Sequence, residues 1–229
     1  MRLFSAGNNR LEGGLGRDYL IGLDGDDILD GGLDTPNTMQ GGTGSDVYLV
    51  HNAGDSVIEF AEEGIDSVET ALANYQLQAW VENLVGTSAV GQRLTGNELA
   101  NAITGGLGND VLDGKGGNDV IDGGGGADNF VFSSALNGVT NIDTIVGFQA
   151  GIDKIWLDDA VFAGFARGAL AAGAFRTGAA AQDADDRIIY DPNTGSLFFD
   201  ADGSGAGAAV QFAILGQGMT LNSGDFLVI

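Results

Sequence analysis

The sequence predicts an all-β protein: a parallel solenoid of short coils, closed at its C-terminal end by a β-rich cap. Three observations carry that expectation. A nine-residue, glycine-rich unit recurs in two blocks. The eighth position of the unit is apolar in every copy, and the sixth is aspartate or asparagine in every copy. Self-similarity at a fixed short period marks a repeat architecture, in which a unit buries its apolar side only by stacking on its neighbours.

The first block opens with "FSAGNNRLE" at residues 4–12, which keeps only Gly7, Asn9 and Leu11 of the pattern. "GGLGRDYLI" from 13, "GLDGDDILD" from 22 and "GGTGSDVYL" from 41 follow, with "GGLDTPNTMQ" at 31–40 one residue too long and Pro36 in its turn. The second block reads "GNELANAIT" from 96, "GGLGNDVLD" from 105, "GKGGNDVID" from 114 and "GGGGADNFV" from 123. Position eight is Leu11, Leu20, Leu29, Met39, Tyr48, Ile103, Leu112, Ile121 and Phe130. Low-complexity disorder would not maintain that regularity. Position six is Asn9, Asp18, Asp27, Asn37, Asp46, Asn101, Asp110, Asp119 and Asp128.

Each unit reads as a six-residue turn and a three-residue strand, whose middle side chain points inward by alternation. Glycines at positions one, two and four permit positive φ and let backbone carbonyls converge on one point. Two units make one coil of ~18 residues, so turns two units apart lie above one another. Each such pair of turns collects two carboxylates and several carbonyls, an all-oxygen cage of ~6–8 ligands that suits Ca²⁺. Without histidine or cysteine among the ligands, zinc and the softer transition metals fit poorly.

Composition agrees. The chain of 229 residues is long enough for a sizeable core, and its 32 acidic against 9 basic residues give a net charge of −23. That balance excludes nucleic-acid binding through neutralised phosphates and disfavours an anionic membrane surface. The absence of cysteine excludes disulfides and thiolate metal sites. "MRLFSAGNNRLEGG" lacks the apolar core of a conventional signal peptide. The apolar stretch 160–175 is interrupted by Arg167 and is too short to span a bilayer. There is no H-E-x-x-H and no G-x-S-x-G, and His51 is the sole histidine, so no enzyme activity is expected of this chain.

Residues 50–95 leave the nine-residue beat but keep short β-rich runs at 54–60, 64–70 and 80–86, as a spacer on larger coils would. The expected division is therefore 4–49 and 96–131 for the repeat blocks, 50–95 for the spacer and 132–229 for the cap. In the last region 141–159 reads as two strands, 160–175 as holding a short helix, 186–205 as a hairpin around Pro-Asn-Thr-Gly, and 209–215 as a further strand. "DADGSG" at 200–205 has the opening of an EF-hand loop, but Gln211 stands where a bidentate glutamate belongs, so a tight turn competes with an ion there.

These units resemble the RTX (repeats-in-toxin) nonapeptide G-G-x-G-x-D-x-U-x of right-handed parallel β-rolls. The resemblance implies an ion between turns n and n+2, held by an aspartate from each. Carbonyls of positions two and four of the first turn and one and three of the later turn complete it. One expected site then takes Asp110 and Asp128 with carbonyls of Gly106, Gly108, Gly123 and Gly125. A second takes Asp27 and Asp46 with Leu23, Gly25, Gly41 and Thr43. Asp119 pairs with Asn101 and Asp18 with Asn37, each cage having lost one charge. The C-terminal region resembles that of serralysin-type proteases, and the final "GDFLVI" resembles an uncleaved secretion signal. This implies a secreted, extracellular protein whose partners are calcium ions and a type I secretion apparatus. Two alternatives accompany that reading: an export module of a larger protease, lipase or alginate epimerase, and a calcium-dependent exoprotein contacting polysaccharide or membrane.

Overall fold

Each short strand offers one inward side chain before the next turn reverses the chain, so successive strands fall into facing sheets. The computed structural model describes residues 2–4 and 6–229, with side chains from residue 6 onward. Arg2–Phe4, Tyr19–Asp24, Thr38–Thr43 and Ser56–Ile58 form a four-stranded sheet. The strands between them begin a twelve-stranded sheet: Arg10–Glu12, Ile28–Asp30, Val47–Val50, Ser67–Thr70, Asn83–Gly86, Ala102–Gly106, Val120–Gly124 and Asp143–Val146, completed by four strands of the C-terminal region. A seven-stranded sheet takes Asn74–Gln76, Arg93–Thr95, Val111–Asp113, Asn129–Phe132 and Lys154–Leu157, then Phe226–Val228 and Gly168–Ala169. Pairing between coils is parallel, two units apart, which is the β-roll solenoid that the repeat predicts.

The register stacks the eighth positions into columns. Leu11, Leu29, Tyr48, Val68, Leu84, Ile103, Ile121 and Ile145 follow one another down the long sheet. Leu20, Met39 and Val57 form a second column, and Leu94, Leu112, Phe130, Ile155 and Phe226 a third. None of these is more than 5% exposed. Burial of each such side chain is worth about 1.5–3 kcal/mol, so the columns are the main source of cohesion. Leu20 pairs with Met39, which shows that the extra residue beside Pro36 is absorbed in the turn without shifting the strand. Val57, Val68, Leu84 and Leu94 carry the columns through residues 50–95 within the same sheets.

The C-terminal region covers the last coil. Val210–Ile214 pairs with Asp143–Val146, and an antiparallel hairpin of Ile188–Asp191 and Ser196–Phe199 extends the sheet. Phe132 of the roll meets Phe212 edge-on at 5.0 Å, and Phe162 meets Phe212 at 5.1 Å and Phe199 at 5.2 Å. Such pairs favour edge-to-face contact. The short helix expected within 160–175 is confined to its C-terminal end. Gly164 and Gly168 take φ of 95° and 114°, which no right-handed helix accepts, and only Ala172–Ala174 makes a single 3₁₀ turn. "GDFLVI" contributes the buried strand Phe226–Val228, paired in parallel with Lys154–Leu157. "DADGSG" is a tight turn in which the Asp202 carboxylate accepts from Gly207 N–H at 3.0 Å.

Candidate metal centre

The sixth-position side chains line the turns in two ladders. On one side, Asn9 N–H donates to Asp27 Oδ1 at 2.7 Å, Asp27 N–H to Asp46 Oδ1 at 2.7 Å, and Asp46 N–H to Asp66 Oδ1 at 2.8 Å. The same side continues with Asp66 N–H to Glu82 Oε2 at 2.9 Å, Asn101 N–H to Asp119 Oδ1 at 2.7 Å and Asp119 N–H to Asp143 Oδ1 at 3.2 Å. On the other side, Asp18 N–H donates to Asn37 Oδ1 and Asn37 N–H to Asp55 Oδ1. Further along it, Gln92 N–H donates to Asp110 Oδ1, Asp110 N–H to Asp128 Oδ1 and Asp128 N–H to Asp153 Oδ1. A short side chain with an oxygen at this position satisfies the turn's buried N–H on the coil before it, which explains why only Asp and Asn occupy it within the repeats.

That arrangement commits one carboxylate oxygen and strands the other. Asp27, Asp46, Asp110 and Asp119 are buried, and Oδ2 of each has no hydrogen-bond partner. A buried carboxylate oxygen without a donor is costly, and a cation supplies what the protein does not. The first-position glycine completes the cradle. A Cβ added at Gly105 would stand 2.5 Å from Asp110 Oδ2 and 2.6 Å from the Gly123 carbonyl oxygen. This position does not use positive φ, contrary to the sequence-based expectation. It is glycine because the aspartate oxygen and the next coil's carbonyl occupy the space. Position two takes positive φ in the units from 13, 22, 31, 41, 105, 114 and 123, even where it is not glycine: Leu23 has φ of 80° and Lys115 of 72°. Holding a side-chain-bearing residue there costs roughly 1–2 kcal/mol.

Each expected pair is brought together. Asp110 stacks on Asp128, with the Gly123 carbonyl against Gly105, while the Gly106 carbonyl accepts from Gly125 N–H at 2.8 Å and Gly108 stacks on Gly126. Asp27 stacks on Asp46, with Gly41 O beside Gly22, Leu23 opposite Gly42, and Gly25 N–H donating to Thr43 O at 2.8 Å. The asparagines differ in a telling way. Asn101 Nδ2 donates to the carbonyls of Val81 and Glu82, and Asn37 Nδ2 to that of Thr35 and to Asp55 Oδ1. Asn9 Nδ2 donates to the Ala6 and Gly7 carbonyls. The amide meets turn carbonyls from within the protein, where an aspartate leaves an oxygen unmatched.

Burial governs the electrostatics. It pushes the Asp46 carboxyl up to about 7, with the charges of Asp66 and Asp27 adding to the effect, and that of Asp128 up to about 6. Burial likewise raises Asp27 and Asp110. Asp119 and Asp143, a coupled buried pair, are both pushed upward by burial. A divalent ion would reverse these shifts by stabilising the charged forms.

Asp55, Asp66, Glu82, Gln92, Asp143 and Asp153 join the ladders although no nonapeptide surrounds them. The signal was a shorter pattern: an acid or amide two residues before the inward apolar side chain, as in Asp55-Ser-Val57, Asp66-Ser-Val68, Asp143-Thr-Ile145 and Asp153-Lys-Ile155. The turns there are poorer in glycine and uneven in length, with ladder partners 20 residues apart from Asp46 to Asp66, 16 from Asp66 to Glu82 and 24 from Asp119 to Asp143, so the fixed beat is lost while the ladder persists.

The family model of the RTX calcium-binding nonapeptide repeat matches residues 5–36 and 95–130, in four copies. With its parallel β-roll, the chain carries RTX-type repeats. It is also 40% identical over 89 residues to the endo-1,3-1,4-beta-glycanase ExsH of Rhizobium meliloti (strain 1021). That match covers 39% of this chain and 19% of the relative, so the chain spans about a fifth of the length of the curated relative it matches. Among the described residues, no helix is long and apolar enough to cross a membrane.

Proposed function

We propose that the chain is a secreted calcium-binding module whose roll is completed by Ca²⁺ outside the cell. One observation carries this reading: buried carboxylates are held by backbone N–H groups so that Oδ2 of Asp27, Asp46, Asp110 and Asp119 has no partner in the protein. The strongest cage is assigned to Asp110 and Asp128 with carbonyls of Gly106, Gly108, Gly123 and Gly125, the next to Asp27 and Asp46 with Leu23, Gly25, Gly41 and Thr43. Asp119 with Asn101 and Asp18 with Asn37 make weaker ones. Extracellular modules bind Ca²⁺ at about 10⁻⁴–10⁻³ M, so the cages stay empty at cytosolic calcium and fill outside. In this reading residues 4–49 and 96–131 bind the ions, 50–95 continue the roll between them, and 132–229 cap it and carry the signal for a type I secretion apparatus. A second reading is favoured by the partial match to a glycanase: the module serves the folding and export of a longer glycan-acting enzyme.

Calorimetric titration tests the calcium reading. Ca²⁺ is expected to bind in several equivalents and Mg²⁺, which demands a tighter octahedral shell, in far fewer. Asn101→Asp frees the Val81 and Glu82 carbonyls and restores a charge, so it is expected to add one equivalent or tighten the weakest by about tenfold. Absence of calcium uptake by the native chain contradicts the reading.

A further inference from the structure

Where the first repeat block meets the spacer, the position-one rule is broken. The strand Ser56–Ile58 stacks on Thr38–Thr43 with Met39 opposite Val57 and Gln40 opposite Ile58, which puts Glu59 where the coil before has Gly41. Within the repeat units glycine stands there because the aspartate oxygen of the same turn fills the space, as Asp46 Oδ2 does at Gly41. Glu59 instead carries a long acidic side chain inward, and it is only 6% exposed. The turn that follows makes room for it: from Glu59 to Asp66 the chain is two residues longer than from position one to position six of the repeat.

The result is a cluster of three buried carboxylates. One oxygen each of Asp46, Glu59 and Asp66 lies within 4.8 Å of the others. Asp46 Oδ1 and Asp66 Oδ1 are committed to backbone N–H groups, and Glu59 Oε1 accepts from the Tyr48 hydroxyl, which in turn accepts from Gly41 N–H at 2.6 Å. Asp46 Oδ2 and Glu59 Oε2 are buried and have no partner. Among the described residues, no Lys, Arg or His forms an ion pair with any of the three. Three acids so close together, two with an unmatched buried oxygen and none with a cation of the protein's own, lack one component: a positive charge that binds several oxygens at once.

We propose that Asp46, Glu59 and Asp66 form a further cation site, one in which a side-chain carboxylate, that of Glu59, enters the cradle that glycine leaves open in the repeats. Its all-oxygen, triply acidic donor set selects a hard divalent ion of the size and flexible coordination of Ca²⁺. The Tyr48 hydroxyl fixes the Glu59 carboxylate, and Asp46 links the site to the Asp27 turn through its other oxygen. All three acids lie outside the segments that match the nonapeptide family model. The inference rests on the reading of the chain as a calcium binder.

The test is a calorimetric Ca²⁺ titration of the native chain, of Glu59→Gln and of Glu62→Gln, the last removing an exposed acid from the same turn. Glu59→Gln is expected to bind one equivalent fewer than the native chain, and Glu62→Gln the same number. If Glu59→Gln does not give the far-UV spectrum of the native chain in saturating calcium, Glu59→Asp replaces it. That variant keeps the charge but retracts the carboxylate, and it is expected to weaken one equivalent by about tenfold. Native equivalents and affinities in the folded Glu59 variant overturn this site alone. A native chain that takes up no calcium overturns the broader reading, and this site with it.

Discussion

In excess EDTA at pH 7.5 the far-UV β signal of the chain is expected to collapse, and to return when calcium is restored. The four unmatched aspartate oxygens of the ladders lie in buried positions, as does that of Glu59. An uncompensated buried charge costs several kcal/mol, against a whole-domain stability of only about 5–15 kcal/mol. Without an ion the chain must protonate these groups or unfold. The direction with pH follows. Burial holds the folded-state carboxyls of Asp66 and Asp128 at about 6, Asp46 at about 7 and Glu59 at about 8, all above the unfolded range. The metal-free fold therefore binds more protons than the unfolded chain. Its stability is fully present below about pH 4 and is lost as pH rises through about 6–8. In EDTA, β structure should thus reappear on acidification from pH 8 to 5, whereas in calcium it should persist at pH 8. Two filled sites at a hundredfold excess over their dissociation constants add about 5 kcal/mol, roughly 10–20 °C in melting midpoint for a chain of this size. A spectrum and midpoint indifferent to EDTA at pH 7.5 would remove the ions from the account of stability.

Gly105→Ala is expected to remove the ion between Asp110 and Asp128 and to destabilise the roll by several kcal/mol. Gly105 does not use positive φ, so alanine brings no backbone strain of that kind. Its methyl group would instead stand 2.5 Å from Asp110 Oδ2 and 2.6 Å from Gly123 O, within the cage. Overpacking of this sort costs about 1–3 kcal/mol, and the lost ion about 2.7 kcal/mol more at a hundredfold excess. Gly218→Ala serves as the contrast. Gly218 has φ of 68° with nothing within 4 Å of an added Cβ. Alanine there should cost about 1–2 kcal/mol and leave the number of bound calcium ions unchanged. Equal calcium stoichiometry in Gly105→Ala and the native chain, read by calorimetry, contradicts the role given to position one.

The roll was legible in the sequence because its period and its inward position are both written in residue type. Leu11 to Phe130 mark the core column by column, and the Pro36 insertion does not disturb Met39. The candidate acids were legible where glycine framed them. They were not legible at Asp66, Glu82, Asp143 and Asp153, because turns of uneven length break the beat while the parallel register still aligns the chain. Glu59 was hidden for another reason. Its place opposite Gly41 is a relation between coils, which no single unit displays. The short helix expected at 160–175 shrinks to Ala172–Ala174, which shows the limit of apolar content as a signal, since Gly164 and Gly168 decide the backbone before it. The first-position glycines carried the right identity for a different cause: they are excluded volume around an oxygen, not backbone freedom.

The central claim, that calcium occupies the cages between stacked turns, is tested most directly by anomalous diffraction from crystals grown in calcium. The account predicts a calcium peak between the turns 105–110 and 123–128, at about 2.3–2.6 Å from carboxylate oxygens of both Asp110 and Asp128. Ordered Asp110 and Asp128 side chains with no anomalous peak between them would contradict it.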